Sequence, residues 1–253
     1  AVASEVGALQ TLGCEAIRDV KPGEVVSLSN NALKVMQALP SVTPSAMCVF
    51  EHIYFARPDQ TWDGINVHHV RQRLGEELAR EVVNGLSHGN TDKNGQSLAD
   101  VVIPVPDSSV PAAIGFSRAT GIQYNDGFIK NRYVGRTFIE PTDSLRKRGV
   151  ALKFNVINEN VRDKRVVMID DSIVRGNTTG PLIKLLKNAG AKEVHVAITC
   201  PPIAHPCFMG VDMGRHEDLI AHNRTIEDIR EHVGAESLYY LSVDGMMKAV
   251  QRK

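Results

Sequence analysis

Neither sign of charge dominates this sequence: 29 Lys and Arg stand against 29 Asp and Glu in 253 residues. Without a basic surplus there is no electrostatic case for nucleic acid or an acidic membrane as a partner. No apolar run approaches the ~20 residues needed to span a bilayer, and the first residues lack the pattern of a secretory signal. Cysteine is scarce. Cys14, Cys48, Cys200 and Cys207 form no C-x-x-C pair. Four in a chain of this length make no disulfide scaffold, so a reducing cytoplasm is the expected compartment. No internal repeat is visible. The length suits one large core, or one and a part.

What is present centres on Arg165–Thr179. Arg165 to Ile169 are mostly apolar and β-prone, which reads as a buried strand. Asp170 and Asp171 close it. Ser172, Arg175, Gly176, Asn177, Thr178 and Thr179 then form a polar turn. Leu182, Ile183, Leu185, Leu186 and Ala189 fall on one face of a following helix, with Lys184 and Lys187 opposite. Gly190 suits a left-handed helix end. Carboxylates and hydroxyls therefore meet between a strand's carboxyl end and a helix's amino end, where open α/β sheets bind ligands. Free helix N–H groups and threonine hydroxyls suit a phosphate. The acids suit sugar hydroxyls, or a metal ion that neutralises further phosphate. A phosphorylated ribose meets all of these demands.

Residues 1 to about 40 read as short strands, with Val20–Val26 a turn feeding a strand and Asn30-Asn31 a hairpin tip. Pro40 to Pro44 reads as a linker. Cys48–Asp59 reads as an aromatic-rich strand ended by a turn. Val67–Val83 is an amphipathic helix with Val67, Val70, Leu74 and Leu78 on one face, and Arg71, Arg73, Glu77 and Arg80 largely outside it. Gly85–Gly95 is a polar loop. Val101–Pro106 repeats the strand pattern. Asp107, Ser108 and Ser109 follow, then a helix near Pro111–Arg118, which offers a second anion site. Lys130–Pro141 carries Lys130, Arg132 and Arg136 around Gly135 with no regular period. Such a loop suits a lid whose cations close over a polyphosphate. Val194–Thr199 and Leu238–Leu241 read as strands. Thr225–Val233 reads as a helix capped by Thr225 and Asp228, and Val243–Val250 as a last helix.

Arg165–Thr179 resembles the phosphoribosyl pyrophosphate signature of type I phosphoribosyltransferases. Asn131–Phe138 is similar to the flexible loop of the glutamine-dependent amidophosphoribosyltransferases. Cys48–Asp59, Pro106–Ser109 and Pro201–Cys207 resemble the same family in the same order. The resemblance implies an α/β fold, a type I phosphoribosyltransferase domain at 41–253 with a parallel sheet flanked by helices. It implies that 1–40 is a β-rich remnant of an Ntn-type glutaminase domain. The implied reaction is attack of ammonia on phosphoribosyl pyrophosphate, giving 5-phosphoribosylamine at the first committed step of purine synthesis.

By position, the resemblance implies that Ser108, Asp170 and Asp171 serve the magnesium and ribose site. Asp107, Ser109, Ser172 and Arg175 join the substrate site, and Gly176, Asn177, Thr178 and Thr179 the 5′-phosphate loop. Lys130, Arg132 and Arg136 belong to the closing loop. Purine nucleotides are implied as feedback ligands, and a homo-oligomer as the assembly. The family's glutaminase half uses an amino-terminal Cys, whereas this chain begins with Ala1 and places Cys14 in another context. No glutaminase nucleophile is therefore assigned, and most of that domain is expected to be missing. One branch of the family holds a [4Fe-4S] cluster on four cysteines. Cys48 and Cys207 match two of those positions, and burial as small apolar residues is the other reading. Two other readings stay open: a non-catalytic phosphoribosyl pyrophosphate regulator and a salvage transferase acting on a free base. The Asn131–Phe138 segment and the balanced charge favour the amide-transferring enzyme.

Overall fold

A computed structural model describes residues 1–29, 32–40, 46–62, 64–86, 99–131, 153–211 and 213–250. It divides into two compact units, Ala1–Val67 and His68–Lys253. The composition-based boundary near residue 40 lies within the first of them.

The first unit begins with a helix, α1 (Val6–Thr11), where a strand is expected from the sequence. The Thr11 hydroxyl donates back to the Gly7 carbonyl at 2.9 Å within it. Strands β1 (Glu24–Ser29) and β2 (Ala32–Gln37) pair antiparallel, Glu24 opposite Gln37 and Ser29 opposite Ala32. The expected hairpin tip, Asn30-Asn31, lies outside the described residues, as does most of the linker. The aromatic stretch expected to be a strand is instead a π-helical turn, Glu51–Phe55. Helical spacing brings Phe50 within 6.2 Å of Tyr54 and 5.5 Å of Phe55, ring centre to ring centre. A two-residue ribbon, β3 (Thr61–Trp62) with β4 (Ile65–Asn66), closes the unit.

The second unit is built on a parallel sheet in the order β10 (Ser237–Tyr240), β9 (Glu193–Ile198), β8 (Arg165–Asp170), β5 (Val101–Pro104). β8 is a central strand, and Val166 to Ile169 are fully buried. Such a strand needs apolar residues on both faces, which explains the unbroken Val-Val-Met-Ile run. Both neighbours hold its carboxyl end. The Val105 N–H donates to the Ile169 carbonyl at 2.9 Å, and the Thr199 N–H to the Asp170 carbonyl at 3.0 Å.

Helices cover the sheet. In α2 (Val67–Leu86), Val67, Val70, Leu74 and Leu78 are buried as expected. Arg71, expected outside this face, is buried too, with 2% of its surface exposed. It stands four residues after Val67 and three before Leu74, so the helical period puts it in the apolar stripe. α3 (Val110–Thr120) crosses α2 through two glycines. A Cβ on Gly75 would lie 1.9 Å from the Ala112 carbonyl oxygen, and one on Gly115 would lie 2.0 Å from that of Gln72. α4 (Thr179–Asn188) buries Leu182, Ile183 and Leu186 and leaves Lys184 and Lys187 outside. Gly190 has φ +95°, as its position past the helix end requires. α5 (Ile226–Val233) starts with the expected capping box of Thr225 and Asp228, and α6 (Val243–Val250) follows β10. No helix among the described residues is long and apolar enough to cross a membrane.

A further antiparallel ribbon, β6 (Phe128–Lys130) with β7 (Phe154–Val156), lies beside β5. Gly127 allows this approach, since a Cβ there would meet the Ile103 side chain at 2.4 Å.

Candidate active site

β8 delivers Asp170 as its last residue and Asp171 as the next. Their exposures are 7% and 5%. Two carboxylates are rarely buried side by side without partners. The partners come from the segment after β5. The Ser108 hydroxyl donates to Asp171 Oδ2 at 2.5 Å, and the Ser109 hydroxyl to Asp170 Oδ1 at 3.1 Å. Within the turn itself, the Ser172 hydroxyl donates to Asp171 Oδ1 at 2.8 Å, and the Asp171 N–H to Asp170 Oδ1 at 2.9 Å. Parallel pairing of β5 with β8 is what brings the two carboxyl ends, and so these groups, together.

Four hydrogen bonds do not offset the burial. Loss of solvent raises the proton affinity of Asp170 well above the ordinary carboxyl value, and the Asp171 charge raises it further. Burial also raises that of Asp171. There the Ser108 and Ser172 hydroxyls and the Arg71 charge oppose it. Beneath the pair, burial pushes the Cys200 thiol up, and both carboxylates add to the effect. Such a pair favours a cation, which would replace repulsion with attraction for both acids. The donor set is all oxygen: two carboxylates and the hydroxyls of Ser108, Ser109 and Ser172. That set suits a hard ion such as magnesium rather than a soft one.

The loop after the acids turns sharply. Gly176 has φ +73°, and a Cβ there would meet Ile220 Cδ1 at 2.6 Å. The Ile220 N–H donates to the Val174 carbonyl at 2.8 Å, so the segment around Ile220 backs the loop. Arg175 reaches Asp218 at 3.8 Å. Thr178 caps α4 without a side-chain hydrogen bond to the helix, Asn177 and Thr178 are half-buried, and Thr179 is buried. The first N–H groups of an α-helix have no partner inside it. This terminus is therefore suited to an anion.

Across the site, Lys130 ends β6 and its ammonium lies 2.5 Å from Asp107 Oδ2. The Phe128 and Phe154 rings, 6.0 Å apart, and the Asn131 N–H to Lys153 carbonyl bond of 2.7 Å hold that strand end in place. The peptide between Pro106 and Asp107 is cis.

The structure thus brings together Lys130, Asp107, Ser108, Ser109, Asp170, Asp171 and Ser172, with Arg175 to Thr179 next along the chain. Arg132 and Arg136 lie outside the described residues, as does most of the closing loop. Cys48 is exposed and Cys207 half-buried, so burial as a small apolar residue does not describe Cys48. Among the described residues no three His, Cys, Asp or Glu side chains are gathered where they could hold a metal ion. Sequence reasoning missed Arg71, although its i, i+4 spacing from Val67 carried the signal.

A parallel α/β sheet whose central strand ends in two buried acids, followed by a glycine turn into a helix, defines a nucleotide- or sugar-phosphate-binding class of protein. Comparison makes the class specific. The pattern of the phosphoribosyl transferase domain matches residues 62–234, and the chain belongs to that family. It is 48% identical over 252 residues to the amidophosphoribosyltransferase of Bacillus subtilis, covering 100% of this chain and 50% of that protein. It is 44% identical to the enzyme of the same name from Rattus norvegicus, covering 100% of this chain and 47% of that one. A solved structure described as the allosteric regulatory enzyme of purine biosynthesis superposes with a TM-score of 0.82 at 47% identity, covering 99% of this chain and 51% of that one. Another, glutamine phosphoribosylpyrophosphate amidotransferase from B. subtilis complexed with ADP and GMP, gives the same score. The chain spans about half the length of the relatives it matches.

Proposed function

We propose that this chain is the phosphoribosyl-transferring part of an amidophosphoribosyltransferase, acting on phosphoribosyl pyrophosphate. The observation that carries the reading is the buried pair Asp170–Asp171, held by Ser108 and Ser109 and followed directly by the Gly176 loop at the start of α4. The relatives named above support the same reaction.

In this reading the 5′-phosphate lies on the N–H groups and hydroxyls of Gly176–Thr179, and the ribose hydroxyls meet the acid pair. Ammonia attacks C1 of the ribose. The C1–oxygen bond to pyrophosphate breaks, its electron pair leaves with pyrophosphate, and a proton leaves the nitrogen to give 5-phosphoribosylamine. The carboxylates stabilise the positive charge that builds on the sugar as the bond breaks. Lys130 stabilises the charge of the leaving pyrophosphate, together with Arg132 and Arg136 by position in the sequence. Magnesium, held by Asp170, Asp171 and Ser108, would neutralise pyrophosphate charge when bound. Excluding water keeps hydrolysis from competing with ammonia.

Residues 1 to about 40 are read as the end of a glutaminase domain on the sequence resemblance alone, and the compartment as cytoplasm. Purine nucleotides are read as regulatory ligands, by likeness to the relative complexed with ADP and GMP. The two cysteines Cys48 and Cys207 supply half of a four-cysteine set, so no step of this reading uses a cluster.

Pyrophosphate release from phosphoribosyl pyrophosphate tests the reading. Release that needs both ammonium and magnesium supports it. Binding without release under those conditions overturns it in favour of a regulator.

A further inference from the structure

Lys130 and Asp107 form a close ion pair at the place where an incoming pyrophosphate needs a free cation. Asp107 precedes Ser108, whose hydroxyl is bonded to Asp171, so the carboxylate stands at the edge of the acid site. Its side chain is 75% exposed, whereas that of Lys130 is 32% exposed. The ammonium is the more fixed partner, seated at the end of the β6–β7 ribbon. The edge thus carries three carboxylates, Asp107, Asp170 and Asp171, and the ligand adds further negative charge.

We infer that Asp107 is a resident competitor for Lys130, which pyrophosphate displaces on binding and which reclaims the ammonium when pyrophosphate leaves. The inference rests on the reading of this site as one for phosphoribosyl pyrophosphate. It assigns Asp107 to product release rather than to substrate capture. Without an intervening cation a carboxylate repels a pyrophosphate oxygen, and the partner that Asp107 has in this structure is Lys130. Binding a polyanion to a free lysine would gain the whole attraction and slow departure. Binding to an already paired lysine gains only the difference between the two anions. No proton moves and no covalent bond changes in this exchange.

The test is the affinity of the 253-residue chain for magnesium pyrophosphate, measured by calorimetry at low and high salt. Asp107→Asn should bind it about 2–5-fold more tightly than the native chain, the size expected for an exposed pair. The gain should shrink at high salt. Lys130→Met should bind more weakly. In the Lys130→Met background, Asp107→Asn should tighten binding less than it does alone, because only repulsion between carboxylate and ligand then remains. An equal gain in both backgrounds overturns the exchange and leaves simple repulsion. Unchanged or weaker binding by Asp107→Asn overturns it outright. If the native chain binds no magnesium pyrophosphate, the site reading itself fails. Both substituted side chains lie at the surface edge of the site, so far-ultraviolet circular dichroism should show the native fold in every variant.

Discussion

Ser108 and Asp171 are 63 residues apart in the chain and share a hydrogen bond of 2.5 Å. That contact, with Ser109 on Asp170, joins two strand ends into one site. The serine hydroxyls orient the carboxylates but bring no charge, and the positive charge that opposes the burial of Asp171 comes from Arg71.

The acid pair should therefore make the unliganded fold sensitive to pH. Both carboxyls have raised proton affinity in the folded chain, chiefly from burial. The folded state then holds more protons than the unfolded state above the ordinary carboxyl pKa near 4. Stability is lost as pH rises from there through the raised values, and below pH ~4 the pair contributes no difference. Other acids act with the opposite sign. The Arg165 guanidinium beside Asp100 lowers its proton affinity, so that pair loses stability as pH falls. Comparing the native chain with Asp170→Asn/Asp171→Asn removes this background. The stability advantage of the double variant, from urea unfolding, should grow between pH 4.5 and 8. An advantage that shrinks over that range would contradict the assignment.

Gly176→Ala should damage the phosphate loop in two ways. The left-handed backbone costs a non-glycine residue about 1–2 kcal/mol, and the added methyl meets Ile220 Cδ1. The KM for phosphoribosyl pyrophosphate should rise at least about tenfold, the effect of ~1.4 kcal/mol on ligand affinity. Gly121→Ala is the control. Its φ is +74° and the space around it is open, so it should lose stability and leave KM unchanged. Equal KM values for the two variants would separate the loop from substrate binding.

Gly75→Ala should destabilise the fold by about 1–3 kcal/mol, the usual cost of overpacking. The obstacle is the Ala112 backbone carbonyl, which cannot rotate away as a side chain can. Gly115→Ala should behave alike through Gln72. A urea midpoint unchanged in both would mean that the two helices do not cross there.

Much of this could be read from the sequence, and the failures have physical causes. α4 and its glycine end were legible because apolar spacing, lysines and Gly190 all agree. The acid pair was legible because an apolar strand ending in two acids leaves few alternatives. The serine partners were legible as a strand-end motif, but their pairing with particular acids depends on β5 lying beside β8, which periodicity does not encode. The charge of Arg71 argues for a place outside the apolar face, but its spacing from Val67 and Leu74 puts it inside. Cys48–Asp59 reads as a strand because aromatic residues favour strands, yet within it Glu51–Phe55 forms a helical turn in which Phe50 packs against Tyr54 and Phe55.

The central claim is that Asp171 serves a bound cation and sugar phosphate rather than the fold. Thermal melts of the native chain and Asp171→Asn, each with and without magnesium and phosphoribosyl pyrophosphate, test it most directly. The account expects the unliganded variant to melt at the native temperature or slightly above, because a buried charge is gone. It expects the ligand-induced rise, worth about 2.7 kcal/mol at a hundredfold excess over Kd, to be largely lost in the variant. A clearly destabilised unliganded variant with an undiminished ligand-induced rise would contradict it.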